Sequence, residues 1–195
     1  MTNATPWRSV GALIAAGAAV LGATATASAH ADEQFSFTAE KYSQIPFGTA
    51  QADVWEQLGG ELTKPGDGDG WCERSSASIL CFAESADYAP YGTFAFTADG
   101  KLWGKNQQYL FNAKTPSIRL SHYNKVTVGM TEAQLWSVVP KDSCVLRQEA
   151  YPNWPATSGK KLMFGCTAAT GLFPPNASFY LTDGKVAEKY QARLT

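Results

Sequence analysis

The chain matches itself. Tyr42-Ser-Gln-Ile-Pro-Phe-Gly48 lies over Tyr123-Asn-Lys-Val-Thr-Val-Gly129, and Val54-Trp55 lies over Leu135-Trp136. Positions 42 and 123, 48 and 129, and 55 and 136 all keep one offset, 81. Further on, Phe94-Ala-Phe-Thr-Ala-Asp-Gly-Lys-Leu102 matches Phe179-Tyr-Leu-Thr-Asp-Gly-Lys-Val186 with one residue deleted. An ordered series of matches is the mark of a duplicated structural unit. The join falls in Asn112-Ala-Lys-Thr-Pro-Ser117, too short for a flexible tether. The sequence therefore predicts two units, 32–115 and 116–195, whose sheets run side by side and present one long face.

Each half reads helix first and strands after. Thr131-Glu-Ala-Gln134 has the T-x-x-Q form of a capping box ahead of Leu135, Trp136, Val138 and Val139. In the first half Thr49 is the expected cap, ahead of the stripe Val54, Trp55 and Leu58. Strand signals follow in Ile79–Phe82, Phe94–Thr97 and 101–103, then in Leu162–Phe164, Ser178–Thr182 and 186–194. Asp99-Gly100 and Asp183-Gly184 each sit between apolar runs, the strongest short signal for a hairpin turn. The expectation is α+β, each unit a short helical pair on one face of an antiparallel sheet.

Residues 1–31 differ in kind. After Arg8 comes an uncharged apolar run, 10–23, then small residues in which Ala27-Ser-Ala29 or Ala29-His-Ala31 offers a cleavage site. The run is shorter than the ~20 residues that span a bilayer, so it reads as a secretory signal with the mature chain starting near Asp32. No later segment is apolar enough to span a membrane. Export lets cysteines oxidise, and Cys72, Cys81, Cys144 and Cys166 fall two to each half. Duplication makes Cys72–Cys81 and Cys144–Cys166 the economical pairing, and the absence of C-x-x-C spacing argues against zinc.

Without residues 1–31, which hold Arg8 and no acid, 15 of the 16 Lys and Arg remain against 17 acids. That balance gives no basic face for nucleic acid. With 45% apolar and 17% charged residues the chain is not a disordered one. His122 is then the sole histidine, and its counterpart in the first half is Lys41, so it reads as a solvated helix residue rather than half of a catalytic pair. No nucleophile-elbow, metalloprotease or phosphate-loop pattern occurs. The acidic loop 64–70 lacks the distant Glu of a calcium hand. No enzyme activity, metal or cofactor is expected.

Aromatic residues are in excess, and several sit in loops. Asp87-Tyr-Ala-Pro-Tyr91 puts a carboxylate and two tyrosines on one short loop, and Tyr151-Pro-Asn-Trp-Pro155 and Leu172-Phe-Pro-Pro175 repeat the theme. Rings on proline-stiffened loops lose little entropy on binding, which suits a protein-binding surface.

The duplicated Tyr…Gly unit, two cysteines per half, Asp87-Tyr-Ala-Pro-Tyr91, Tyr151-Pro-Asn-Trp-Pro155 and the closing Thr-Asp-Gly hairpin together resemble the β-lactamase inhibitory proteins, and most of all the type I inhibitors, over about 37–195. The resemblance implies two tandem units, each a helix-loop-helix on a four-stranded antiparallel sheet, forming one concave sheet face. It implies a secreted, monomeric, non-covalent inhibitor of class A β-lactamases, and leaves penicillin-binding proteins open as further partners. Asp87 falls on the family's inserted aspartate, which imitates a penicillin carboxylate, with Tyr88 and Tyr91 flanking it. Thr170-Gly-Leu172-Phe173 falls on the second inserted loop, with Leu172 where the family pattern has phenylalanine. The contact face departs further: Arg147, Tyr180 and Ala192 replace tryptophans, Leu80 a histidine, Tyr109 a lysine and Tyr190 an arginine. The aromatic that the family carries between the first two cysteines has no counterpart here. The rival expectation is a fold-sharing envelope or cell-wall binding protein without β-lactamase inhibition.

Overall fold

Burial alternates residue by residue along the strands, as a sheet with one covered face requires. In Tyr91–Phe96 every second residue, Gly92, Phe94 and Phe96, is buried, and in Asn176–Thr182 Ala177, Phe179 and Leu181 are. The computed structural model describes residues 35–60, 70–171 and 173–195. The expected signal segment, most of the acidic loop 64–70 and Leu172 lie outside them.

The elements run α1 (Ala39–Gln44), α2 (Gln51–Gln57), β1 (Trp71–Arg74), β2 (Ser78–Phe82), β3 (Tyr91–Phe96) and β4 (Leu102–Gln108). They continue with α3 (Leu120–Lys125), α4 (Glu132–Val138), a 3-10 turn at Lys141–Ser143, β5 (Cys144–Ala150), β6 (Lys161–Thr167), β7 (Asn176–Thr182) and β8 (Lys185–Ala192). The eight strands form one antiparallel sheet in chain order, so the fold is α+β with few and short helices. None of the helices among the described residues is long and apolar enough to cross a membrane.

Local chemistry explains the helix starts. Thr131 accepts from Gln134 N at 3.3 Å, and Gln134 Oε1 accepts from Thr131 N at 2.9 Å, a reciprocal capping box. Thr49, the expected cap of the first half, does not cap. The N-cap of α2 is Ala50, without a side-chain bond, and the Thr49 hydroxyl donates to Pro46 O at 2.8 Å. A hydroxyl spent one residue too early on the preceding turn cannot reach the helix amides.

The deleted residue between the two matched hairpins is Ala98, and it sets the turn type. Asp183 (φ 48°) and Gly184 (φ 73°) alone join β7 to β8, a two-residue turn with both residues left-handed. In the first half the extra residue gives a type I turn closed by Gly100 N to Thr97 O at 2.9 Å, with Gly100 at φ 76°. Both turns receive a helix N-terminus: Gln51 N donates to Gly100 O and Glu132 N to Gly184 O.

Two apolar clusters lie under the same face of the sheet. Tyr42, Val54 and Leu58 pack on Cys72, Ile79, Phe94 and Leu102. Val126, Leu135 and Val139 pack on Leu162, Cys166, Phe179, Leu181 and Val186. Fully burying one such side chain stabilises by about 1.5–3 kcal/mol. Each cluster contains a cross-strand disulfide, Cys72–Cys81 and Cys144–Cys166, with sequence separations of 9 and 22. Closing loops of that size contributes about 3 kcal/mol each through the unfolded chain. Lysines clamp the helix ends: Lys105 Nζ donates to Ile45 O at 3.0 Å and Lys189 Nζ to Val126 O at 2.7 Å.

The clusters join where β4 meets β5, through Gly104–Ala150, Lys105–Glu149 and Asn106–Gln148. Beside that seam Phe47 meets the ring of Tyr151 at 4.7 Å and that of Trp154 at 6.5 Å. Trp154 lies on Gly48, where an added Cβ would stand 2.6 Å from its Cζ2.

Candidate interaction surface

In a sheet whose strands follow chain order, successive connections alternate between its two ends. The β2–β3 loop (83–90) and the β6–β7 loop (168–175) both follow even-numbered strands and share one end. The β5–β6 loop, with Tyr151 and Trp154, sits at the other. About three strand spacings, roughly 14 Å, separate β3 from β6, yet the rings of Tyr88 and Phe173 meet edge to face at 6.0 Å. The two loops therefore lean toward each other across β4 and β5. Tyr88 is 71% exposed and Phe173 53%. Asp87, next to Tyr88, is exposed, and its carboxylate makes no hydrogen bond or ion pair among the described residues.

The backbone there is unusual. Tyr88 (φ 63°), Tyr109 (φ 63°), Phe173 (φ 56°) and Arg193 (φ 59°) are left-handed non-glycine residues, all at this end of the sheet. Each such residue costs about 1–3 kcal/mol and persists where its surroundings hold it, a pattern typical of functional surfaces. Arg193 supplies part of that support by donating Nη2 to Phe173 O.

The face of the sheet opposite the helices carries the remaining rings. Trp71 stacks on Phe82 at 4.8 Å, Phe82 meets Tyr91 at 5.8 Å, and Tyr91 donates its hydroxyl to Gln108 Oε1 at 3.0 Å. These residues sit opposite one another on β1 to β4, so the row follows from register alone. At the far side Tyr180 and Tyr190 meet at 5.7 Å, and Tyr190 donates to Glu188 Oε2 at 2.7 Å. The Glu188 carboxylate raises the Tyr190 phenol above its usual range.

Between these rows lies a cavity of about 320 Å³, bordered by Tyr91, Tyr109, Arg147, Met163 and Phe173. Arg147 stands over the Tyr109 ring at 5.5 Å. Burial lowers the pKa of its guanidinium, which stays cationic at neutral pH.

The expected binding residues thus divide. Asp87, Tyr88, Tyr91, Tyr109, Arg147, Phe173, Tyr180 and Tyr190 share the loop end or the helix-free face. Tyr151 and Trp154 do not: they pack on Phe47 and Gly48, and the Tyr151 hydroxyl donates to Glu149 Oε1 at 3.0 Å. Glu149 also pairs with Lys160 at 2.8 Å, the ion pair found among the described residues. Trp71 and Phe82, which flank the first disulfide, supply rings that a search between the cysteines misses; counting out from Cys72 and Cys81 by two-residue alternation finds them. His122 Nδ1 accepts from Arg119 N at 3.2 Å at the start of α3. No group of three His, Cys, Asp or Glu arranged to hold a metal occurs among the described residues.

A family model described as Beta-lactamase inhibitor (BLIP) matches residues 38–166. Among solved structures, a Streptococcus mutans chain described as a "putative beta-lactamase inhibitor protein" is 10% identical, the match covering 83% of this chain and 92% of that one at a TM-score of 0.43.

Proposed function

The chain belongs to the β-lactamase inhibitor (BLIP) family, and from that premise we propose that it is a secreted protein that binds class A β-lactamases without covalent chemistry and blocks their active site. The observation that carries the reading is the meeting of Tyr88 and Phe173 beside the unpaired Asp87. Two loops from distant strands brace one another, so the rings lose little freedom on binding. A carboxylate held out on such a brace suits a cleft that recognises an anionic drug through hydroxyl and cationic donors. The row Trp71, Phe82 and Tyr91 extends the contact along the sheet, where large rings typically supply the hot spots. In this reading residues 1–31 are an export signal. Residues 32–115 and 116–195 are two copies of one unit forming a concave face, supported by the paired turns, lysine clamps and disulfides. The inhibitor acts as a monomer and needs no cofactor.

The test is residual hydrolysis of a chromogenic cephalosporin by a purified class A β-lactamase. The expected outcome is a dose-dependent loss of rate that Asp87→Ala and Phe173→Ala each weaken, with melting temperatures close to wild type. Unchanged hydrolysis at micromolar protein sinks the reading in favour of an envelope or cell-wall binding protein of the same fold.

A further inference from the structure

The helix-free face holds a cation, Arg147, that pairs with no acid among the described residues. Arg147 is the extra residue of a β-bulge: Leu146 pairs with Phe164 and Gln148 with Met163, and Arg147 has no partner on β6. Bulges re-aim side chains and recur beside functional sites. This one lays the Arg147 side chain along Gly165, where an added Cβ would come within 3.1 Å of both Cγ and Nε. Glycine is what makes room for it.

Two buried polar atoms nearby lack a hydrogen-bond partner among the described residues. Arg147 Nη1 is buried with no hydrogen-bond partner. Gln107, only 1% exposed, donates Nε2 to Leu146 O at 2.7 Å, while its Oε1 is buried and unpaired. Gln107 lies on the helix-covered side, whereas Arg147 borders the 320 Å³ cavity, whose described wall contains Arg147 and Arg193 but no Asp or Glu. Buried polar groups in native proteins are nearly always satisfied, and a buried charge without a counter-charge is costly. Such a cost is recovered where a binding partner brings the missing group.

We propose that this cavity is a subsite for one acidic side chain of the bound protein, an Asp or Glu whose carboxylate pairs with the Arg147 guanidinium. The inference rests on reading the chain as a β-lactamase-binding protein. The planar guanidinium, fixed between Gly165 and the Tyr109 ring, is pre-organised for a carboxylate. The complex is then reciprocal: Asp87 of this chain enters the partner, and an acid of the partner enters this chain.

The experiment uses the full chain with Arg147→Met, which keeps the apolar stem, and Arg147→Gln as a second variant. Each should raise the inhibition constant about tenfold or more and flatten its salt dependence, with melting temperatures equal to or above wild type. One Asp or Glu of the enzyme, changed to its amide, should show a non-additive loss with Arg147→Met. Unchanged inhibition by both variants overturns the subsite while leaving the proposed function standing, as does full additivity with every enzyme acid. A fall of several degrees in melting temperature in both variants makes Arg147 structural and also overturns it. If the wild type inhibits no enzyme, the proposed function falls instead. The subsite is then decided by titrating propionate at constant ionic strength and watching the Arg147 Nε–H resonance, whose failure to move overturns it.

Discussion

Tyr42 shows how far one residue's chemistry follows from where the chain puts it. Its ring lies on Phe94 at 5.5 Å and Phe111 at 6.1 Å, with Lys105 Nζ 5.1 Å from its centre. Burial, with a smaller push from Glu149, raises its phenol well above the ordinary value of 10.0. The folded chain therefore keeps this proton at pH values where the unfolded chain has lost it. The contribution to stability is complete below about pH 10 and is lost as pH rises beyond it. Lys105, whose pKa burial lowers, acts with the opposite sign in the same range, so the informative quantity is a difference. Urea midpoints measured between about pH 8 and 11 should fall more steeply for wild type than for Tyr42→Phe; parallel curves would mean that the phenol is not shielded. The repeat aligns Tyr42 with Tyr123, yet Tyr123 is only half-buried, because alignment fixes a position and not the packing around it. The left-handed backbones of Tyr88, Tyr109 and Phe173 were likewise illegible. The sequence signals for that conformation are glycine, asparagine and aspartate, and an aromatic residue adopts it only under tertiary support.

Among the elements, the starts of α2 and α4 form a natural comparison. Thr131→Ala removes a side-chain acceptor from a complete capping box and should cost about 0.5–2 kcal/mol. Thr49→Ala, at the matched start, removes only a bond to Pro46 O and should cost less. Equal losses in urea unfolding would contradict the assignment of the caps. The capping box and both hairpin turns were readable because each depends on a few neighbouring residues. The strands β1 and β5 gave no clear local signal, and β4 extends from Leu102 to Gln108, well past the expected 103. Its run Gly104-Lys-Asn-Gln-Gln108 is polar, and only pairing with β3 and β5 makes it a strand. The Arg147 bulge was equally hidden, since a sequence does not reveal which of two facing strands carries an extra residue.

At the scale of the molecule, the seam between the clusters rests on three facing residue pairs and on the Phe47–Tyr151–Trp154 group. Gly48 (φ 85°) and Gly129 (φ 91°) occupy matched places in the two halves. A Cβ on Gly48 would strike Trp154 at 2.6 Å, whereas one on Gly129 would meet nothing within 4 Å. Gly129→Ala should cost only the backbone strain, about 1 kcal/mol. Gly48→Ala should cost about 1–3 kcal/mol more and alter the near-ultraviolet tryptophan signal. Equal melting temperatures would show that Trp154 gives way freely. The short join made side-by-side strands readable, but they form one continuous eight-stranded sheet rather than two, because β4 and β5 pair directly across the join. Trp154 reads in sequence as a loop aromatic like Tyr88, because such a ring looks alike whether it faces solvent or packs, as here, on Phe47 and Gly48.

Even-numbered strands send their loops one way and odd-numbered strands the other. That parity separates evolvability from integrity. In the proposed reading, residues 84–90 and 170–175 form one combinatorial grip, while the tryptophan that packs on Gly48 sits at the far rim, beyond the reach of a library that varies them.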